Sequence, residues 1–490
     1  MKGQKQGAAP EVRGEARRSP VRGLQSLLLV AAVAALAVPM AVNVAPAFFA
    51  PQQAPAAQTP PWQLAPEQLS LPAGVAPLDP SAPVPSPAKL GALLDPALKP
   101  DGGGTFTAVV QDALSGDVLY ERDGGRNRVP ASNMKLLTAV AALRAAGPES
   151  RFRTEVVAGA KPSTVVLRGG GDVLLGEGIS EPDEVMGRAG LETLAADTVA
   201  ALTAQGAKGP LTVQLDDSLF TGPALNPAWD LADVAAGETA PLFPLAMHGG
   251  RNAPGTTGGP RPKDAALDAA QAFARKLQAA GAPKGIKVSA AVVRAKAPAD
   301  AEVLAAVESA TVRQQVDLML ETSDNYLAEV LGRMASLASG GAASNDGATA
   351  AVRTQLGELG IDTASMRLSD VSGLSLANQV SARQFSEVVR LITSGPDTRL
   401  RAALAGFPVA GLTGTLDDRY GDASTAGGAG LVRAKTGTLN SVIALSGYVV
   451  DADGRLLVFS FIGNGLTPGA AGNKVALDRA ASALASCGCR

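Results

Sequence analysis

Val129-Pro130-Ala131-Ser132-Asn133-Met134-Lys135-Leu136-Leu137-Thr138 sets a hydroxyl and an amine three residues apart, where a loop turns into an apolar run. The run continues to Ala146 and stops at Gly147-Pro148, so a helix is expected over 132–146. Residues three apart share a helix face, which lets Ser132 and Lys135 meet. A serine hydroxyl is a weak nucleophile until a base takes its proton. A lysine is that base if burial or a second cation lowers its pKa. The helix N-terminus adds free N–H groups where an oxyanion would form. Alone, the spacing is a weak signal. Ser86-Pro87-Ala88-Lys89 repeats it in a proline-rich stretch where no helix is expected, and a lone serine at a helix start ordinarily caps it.

Two downstream elements complete the pattern. Ser323-Asp324-Asn325 falls between helices expected at 311–322 and 325–336. Its serine can pass a proton to a leaving amine and its carboxamide can hold a substrate amide, although helix capping would also explain it. Lys435-Thr436-Gly437-Thr438 falls at the first of three terminal strands expected at Leu431–Lys435, Ser441–Val450 and Arg455–Ile462. Lys435 and Thr436 suit a substrate carboxylate, and Gly437 lets the substrate backbone come close. The N–H groups of Ser132 and Thr438 would form the oxyanion hole. Lys435 also supplies the second cation expected to keep Lys135 neutral. In this order the three elements form the trio of penicillin-binding proteins and class A β-lactamases.

Outward from these motifs, Phe106–Asp112 and Val118–Arg122 read as a hairpin around Ser115-Gly116-Asp117. Further helices are expected at 347–359 and 381–394, and a last one over Lys474–Ala485. The hairpin and the terminal strands can share one antiparallel sheet flanked by helices, an α/β (α+β) fold; the motif trio's resemblance to penicillin-binding proteins implies that it is of β-lactamase/transpeptidase type. Residues 151–310 mix strands (Ser163–Arg168, Leu211–Leu215, Ile286–Val293) with helices near 191–204 and 265–280. They read as one or two accessory domains inserted between the Ser-x-x-Lys and Ser-x-Asn motifs. The catalytic domain is then 89–150 with 311–490.

The N-terminus gives the address. Lys2, Lys5, Arg13, Arg17, Arg18 and Arg22 precede an uncharged stretch, Leu24–Ala50. This is the layout of an export signal, with Ala45-Pro46-Ala47 as a cleavage site, and it is also long enough for an uncleaved anchor. Basic residues before it would stay in the cytoplasm and leave the rest outside. Residues 51–88 are Pro/Ala-rich and read as an extended linker, with folding expected from Lys89.

Composition excludes much. The 490 residues carry net charge −2, 18% charged and 3% aromatic side chains, which argues against nucleic acid. One histidine, His248, and two cysteines in the last four residues argue against a His-ligated metal centre and leave no all-cysteine or cysteine–histidine zinc site; no metal or cofactor is expected. A serine-histidine triad would need His248, which sits in an expected turn, Met247–Gly250. Cys487-Gly488-Cys489 reads as a disordered tail, with a small disulfide ring as the alternative.

The chain resembles the penicillin-binding protein 4 type of D-alanyl-D-alanine carboxypeptidase and endopeptidase over most of 89–486. The similarity is densest in Val129–Thr138 and Glu321–Asn325, and continues in Gly411–Arg419 and Ala434–Asn440. Asp216–Phe220 resembles a family segment inside the long insertion, which class A β-lactamases lack. The resemblance implies peptidoglycan stem peptides ending in D-Ala-D-Ala as substrate, and β-lactams as covalent inhibitors. It implies Ser132 as nucleophile, Lys135 as base, Ser323 as proton relay, Asn325 on the peptide, and Lys435 with Thr436 on the terminal carboxylate. Asp370-Val371-Ser372-Gly373-Leu374 resembles a site-lining loop, but Val371 stands where glycine is commoner. His248 stands where an asparagine-like residue is expected. Both departures bear on substrate preference. The competing expectations are a β-lactam or ester hydrolase using the same residues, and a non-catalytic cell-wall-binding relative.

Overall fold

A computed structural model describes residues 78–489. Five antiparallel strands form the main sheet in the order 433–439, 442–450, 456–467, 103–112, 118–122. The two ends of the chain therefore meet at its centre, where Val109 pairs with Ser460 and Val110 with Phe459. Side chains alternate between faces along a strand. Val109, Val458 and Ile462 face one core with the helices Met134–Ala145 and Ala382–Ser394. Ala108, Val110, Phe459 and Phe461 face another, with Leu477 and Leu484 of the helix Lys474–Ala485 and with Leu90 and Leu94.

Several expected boundaries shift. The strand expected at Leu431–Lys435 runs Arg433–Leu439, because pairing with 442–450 continues until Leu439 meets Val442. Ser132 lies in a single 3₁₀ turn, Ala131–Asn133, and the α-helix proper starts at Met134. The strand expected over Ile286–Val293 is two short ones, Ile286–Val288 and Val293–Arg294, paired with different stretches of Gly209–Asp216. Ser86-Pro87-Ala88-Lys89 does open a helix, Pro87–Ala97. Proline tolerates the first helical position, where no N–H partner is needed. Packing begins earlier than Lys89 as well: Pro80 and Ala82 carbonyls accept from Arg455 Nη1 at 2.8 and 3.2 Å.

The end of the chain is also not a loose tail. Cys487 and Cys489 form a disulfide and are buried, and the Cys489 carbonyl accepts the N–H of Ser86 at 2.6 Å. Among the described residues no helix is long and apolar enough to cross a membrane. The expected signal or anchor, 1–50, and most of the expected linker lie outside the described residues.

A second, six-stranded sheet comes from between the motifs, with Leu191–Ala204 and Ala265–Gly281 packed around its own apolar core. Its strands Arg153–Ala158 and Val303–Glu308 pair antiparallel, so this stretch leaves and returns side by side. Part of it instead leans on the helix Asn325–Ala338. Arg261, nearly fully buried, stacks over the Tyr326 ring at 5.5 Å and approaches Asp324 at 3.7 Å.

Val371 also has a structural account. It is fully buried and points away from solvent against Gly332, where an added Cβ would lie 2.6 Å from Val371 Cγ2. The unusual valine is accommodated by a glycine on the neighbouring helix. Gly332→Ala should therefore lower stability, because overpacking of about 1–3 kcal/mol exceeds the helix-propensity gain of about 1 kcal/mol. Thermal melting checks this: adding Val371→Ala to Gly332→Ala should recover stability, and a Gly332→Ala variant melting above the parent would contradict it.

Candidate active site

The turn carrying Ser132 is fixed to the sheet before any chemistry is considered. Asn464 brackets Val129, accepting its N–H at 2.9 Å and donating to its carbonyl at 3.0 Å. Asn133 Nδ2 donates to Ser446 Oγ on the second strand at 2.6 Å. Ala131 is held at φ +49°, an unfavourable value for a residue with a Cβ, next to the hydroxyl. Two glycines allow this closeness. A Cβ on Gly373 would lie 1.9 Å from the Ala131 carbonyl oxygen, and one on Gly437 about 3 Å from Pro130 O and Ser132 N. Gly437 thus makes room for the serine turn's own backbone.

Lys135, the second residue of the α-helix, is fully buried. Its Nζ lies 2.9 Å from Ser132 Oγ, 2.6 Å from Asn325 Oδ1 and 2.8 Å from the Ser372 carbonyl. The last two can only accept hydrogen bonds. A neutral amine has two N–H groups, which they use, and one lone pair, which is left for the Ser132 hydroxyl. Burial pulls the Lys135 pKa down to about 8, while Asp324, Asp370, Glu329 and Glu238 hold it from falling further.

The Ser-Asp-Asn element divides its work. Asp324 caps the helix that follows, accepting from Leu327 N at 2.8 Å. Capping accounts for Asp324 and leaves its two neighbours free to face the lysines. Ser323, at φ +59°, receives a hydrogen bond from Lys435 Nζ at 2.9 Å. Asn325 takes Lys135 on its oxygen and donates its Nδ2 to the Glu238 carbonyl at 3.1 Å, leaving one N–H available.

Lys435 is also fully buried, and its Nζ further donates to the Thr436 carbonyl at 3.0 Å. Its pKa is driven well below the usual lysine value, first by burial and then by the charge of Lys135. Burial is thus the leading cause of the lowered pKa at both lysines, and two neighbouring cations disfavour each other's charge. Thr438 lies exposed on the same strand at the sheet edge. His248 is half-buried at φ +54°, with its backbone N–H on the Leu175 carbonyl.

Sequence reasoning gave three contributors no role of their own. Thr415, in the Gly411–Arg419 stretch noted without a role, shares a 2.7 Å hydrogen bond between its hydroxyl and that of Thr436. Ser372 supplies the third partner of Lys135 through its carbonyl, which no side-chain pattern reveals. Glu238 likewise acts through its backbone, from a stretch read as accessory.

A nucleophilic hydroxyl on a desolvated amine, faced by a second buried lysine at the edge of an antiparallel sheet, is the equipment of a serine acyl-transfer hydrolase. The chain belongs to the D-Ala-D-Ala carboxypeptidase 3 (S13) family, whose model matches residues 90–262 and 257–484. Carboxypeptidase DacB of Mycolicibacterium smegmatis is 36% identical over 473 residues, covering 96% of this chain and 99% of that protein. A carboxypeptidase of Mycobacterium tuberculosis is 38% identical over 428 residues, covering 86% of this chain and 89% of the relative. Penicillin-binding protein 4 of Haemophilus influenzae shares the fold with a TM-score of 0.61 at 21% identity, covering 80% of this chain and 97% of that one.

Proposed function

We propose that this carboxypeptidase works through Ser132 on peptidoglycan stem peptides outside the cytoplasm, in the space to which the segment before residue 51 directs it. The observation that carries the reading is the triple coordination of Lys135 Nζ, which reserves its lone pair for the Ser132 hydroxyl.

In the first step Ser132 Oγ bonds to the carbonyl carbon of the penultimate D-alanine while its proton passes to Lys135. The oxyanion rests on the N–H groups of Ser132 and Thr438. The C–N bond then breaks, and Ser323 relays a proton to the departing D-alanine. Water attacks the ester and releases the shortened peptide. Asn325 presents its remaining N–H to the peptide, and Lys435 with Thr436 holds the terminal carboxylate. That carboxylate would favour the protonated form of Lys435, against the burial that lowers its pKa. A D-amino-acid cross-link offers the same bond and carboxylate, so endopeptidase action uses the same residues. A β-lactam follows the first step and stalls. The catalytic body is 89–150 with 311–490, joined by the helix that starts at Pro87, and 151–310 is accessory except where Glu238 and Arg261 reach the Asn325 helix.

The test is peptide mapping of the purified protein after penicillin treatment, together with D-alanine release from a stem pentapeptide. An adduct on Ser132 and released D-alanine are expected. An adduct elsewhere, or rapid penicillin turnover with no D-alanine release, would overturn the reading. Thr415 aims the Thr436 hydroxyl at the carboxylate. Thr415→Val should therefore lower kcat/KM on the pentapeptide about two- to tenfold, the value of one neutral hydrogen bond, with recovery in Thr415→Ser.

A further inference from the structure

Beneath Lys135 the backbone of 370–375 is clamped by two buried carboxylates on opposite sides. Glu329 Oε1 accepts the N–H of Val371 at 3.0 Å and of Ser372 at 2.8 Å. Asp370 accepts the N–H of Gly373 at 2.8 Å on Oδ1 and of Ser375 at 2.7 Å on Oδ2. Asn378 Nδ2 and Trp229 Nε1 complete Asp370, at 2.6 and 2.9 Å. The peptide unit is planar, with its N–H and C=O pointing in opposite directions. Fixing the Gly373 N–H on Asp370 therefore fixes the Ser372 carbonyl of the same unit, which lies on Lys135 Nζ. Fixing the Ser372 N–H on Glu329 fixes the Val371 carbonyl, which accepts from Thr138 Oγ1 at 2.5 Å.

We propose that Asp370 and Glu329 are positioning residues for the reaction, aiming the Ser372 carbonyl so that Lys135 keeps its lone pair on Ser132. The proposal rests on Lys135 as the base. Glu329 stands one helical turn after Asn325, so a single helix presents one side chain to Lys135 and another to the loop that holds it. An ordinary core position would carry an apolar side chain here, since a buried carboxylate costs stability unless it is well bonded. The two carboxylates differ in what they require. Asp370 receives only donors, so its amide would set an NH₂ against an N–H. Glu329 receives both backbone bonds on one oxygen and is also bonded by the Ser372 side chain, so glutamine can keep the two backbone bonds while removing the charge. That charge, with those of Asp370, Asp324 and Glu238, supports the proton affinity of Lys135, while Lys435 opposes it. Glu329 itself faces Asp370, which together with burial raises it to about 7, and Arg333 lies one turn further along its helix.

The experiment measures penicillin acylation of the full chain by stopped flow, resolving the pre-acylation binding constant from the acylation rate constant, across pH. Asp370→Asn should lower the rate constant by about tenfold or more, toward the hundredfold that an ångström of misplacement costs, with binding unchanged. Glu329→Gln should lose less rate than Glu329→Ala and move the acid limb of the pH profile to lower pH. Glu329→Ala should lose rate as Asp370→Asn does. If Asp370→Asn fails to fold, the glutamate pair decides. Variants that fold, acylate Ser132 within twofold of the parent and keep its pH profile would overturn the inference. Adduct mapping separates the two failures: label away from Ser132 defeats the site assignment, whereas label on Ser132 with unmoved kinetics defeats only the clamp.

Discussion

Ser132→Ala is expected to abolish covalent labelling by a fluorescent penicillin while leaving the fold intact. No other hydroxyl is bonded to Lys135 Nζ among the described residues, so the variant lacks a nucleophile at the base. Loss of a serine nucleophile in this kind of chemistry runs on the order of a millionfold in turnover. The structural cost should be small. Ser132 is only half-buried, and Lys135 retains Asn325 and the Ser372 carbonyl as partners. The melting temperature should therefore stay near that of the parent. Labelling that persists in the variant would remove Ser132 from the mechanism.

Lys135→Met carries the second large effect, a loss on the order of 10²–10⁴ in acylation rate, the usual share of a general base. Methionine fills much the same volume but offers neither a donor nor a lone pair. Asn325 Oδ1 and the Ser372 carbonyl would then be buried without a partner, a cost of about 1–3 kcal/mol each. Stability should fall along with rate, and the two must be measured together. The pH profile separates them. In the parent, the amine must be neutral to accept the serine proton, so acylation should fall as pH drops below about 8 and level off above it. In Lys135→Met that limb should vanish. A loss below roughly tenfold with the limb preserved would assign the base to another group.

Much of this was legible from residues alone. The hairpin and the terminal strands were readable because short, nearly continuous apolar runs around Val109 and Phe459 suit a sheet covered on both faces. The pairing of Ser132 with Lys135 followed from helical spacing, which is local geometry. The helix at Pro87 was missed because proline density masks a helix start whose stability comes from Leu90 and Leu94 packing under the sheet. The disulfide stood as the alternative in the sequence, but the burial of the tail was missed for a related reason, since nothing near Cys487 shows that Ala452 and Ser86 bond to it.

The amino-acid order by itself determined which groups are available: a hydroxyl and amine one turn apart, a second hydroxyl with a carboxamide, and a lysine on a strand. Only the tertiary structure decided how they are charged and aimed. Burial lowers the pKa of both lysines, and the orientation of Asn325 and of the Ser372 carbonyl selects which atom the amine's lone pair meets. Desolvation and backbone direction arise from chain segments hundreds of residues apart, so no local pattern encodes them.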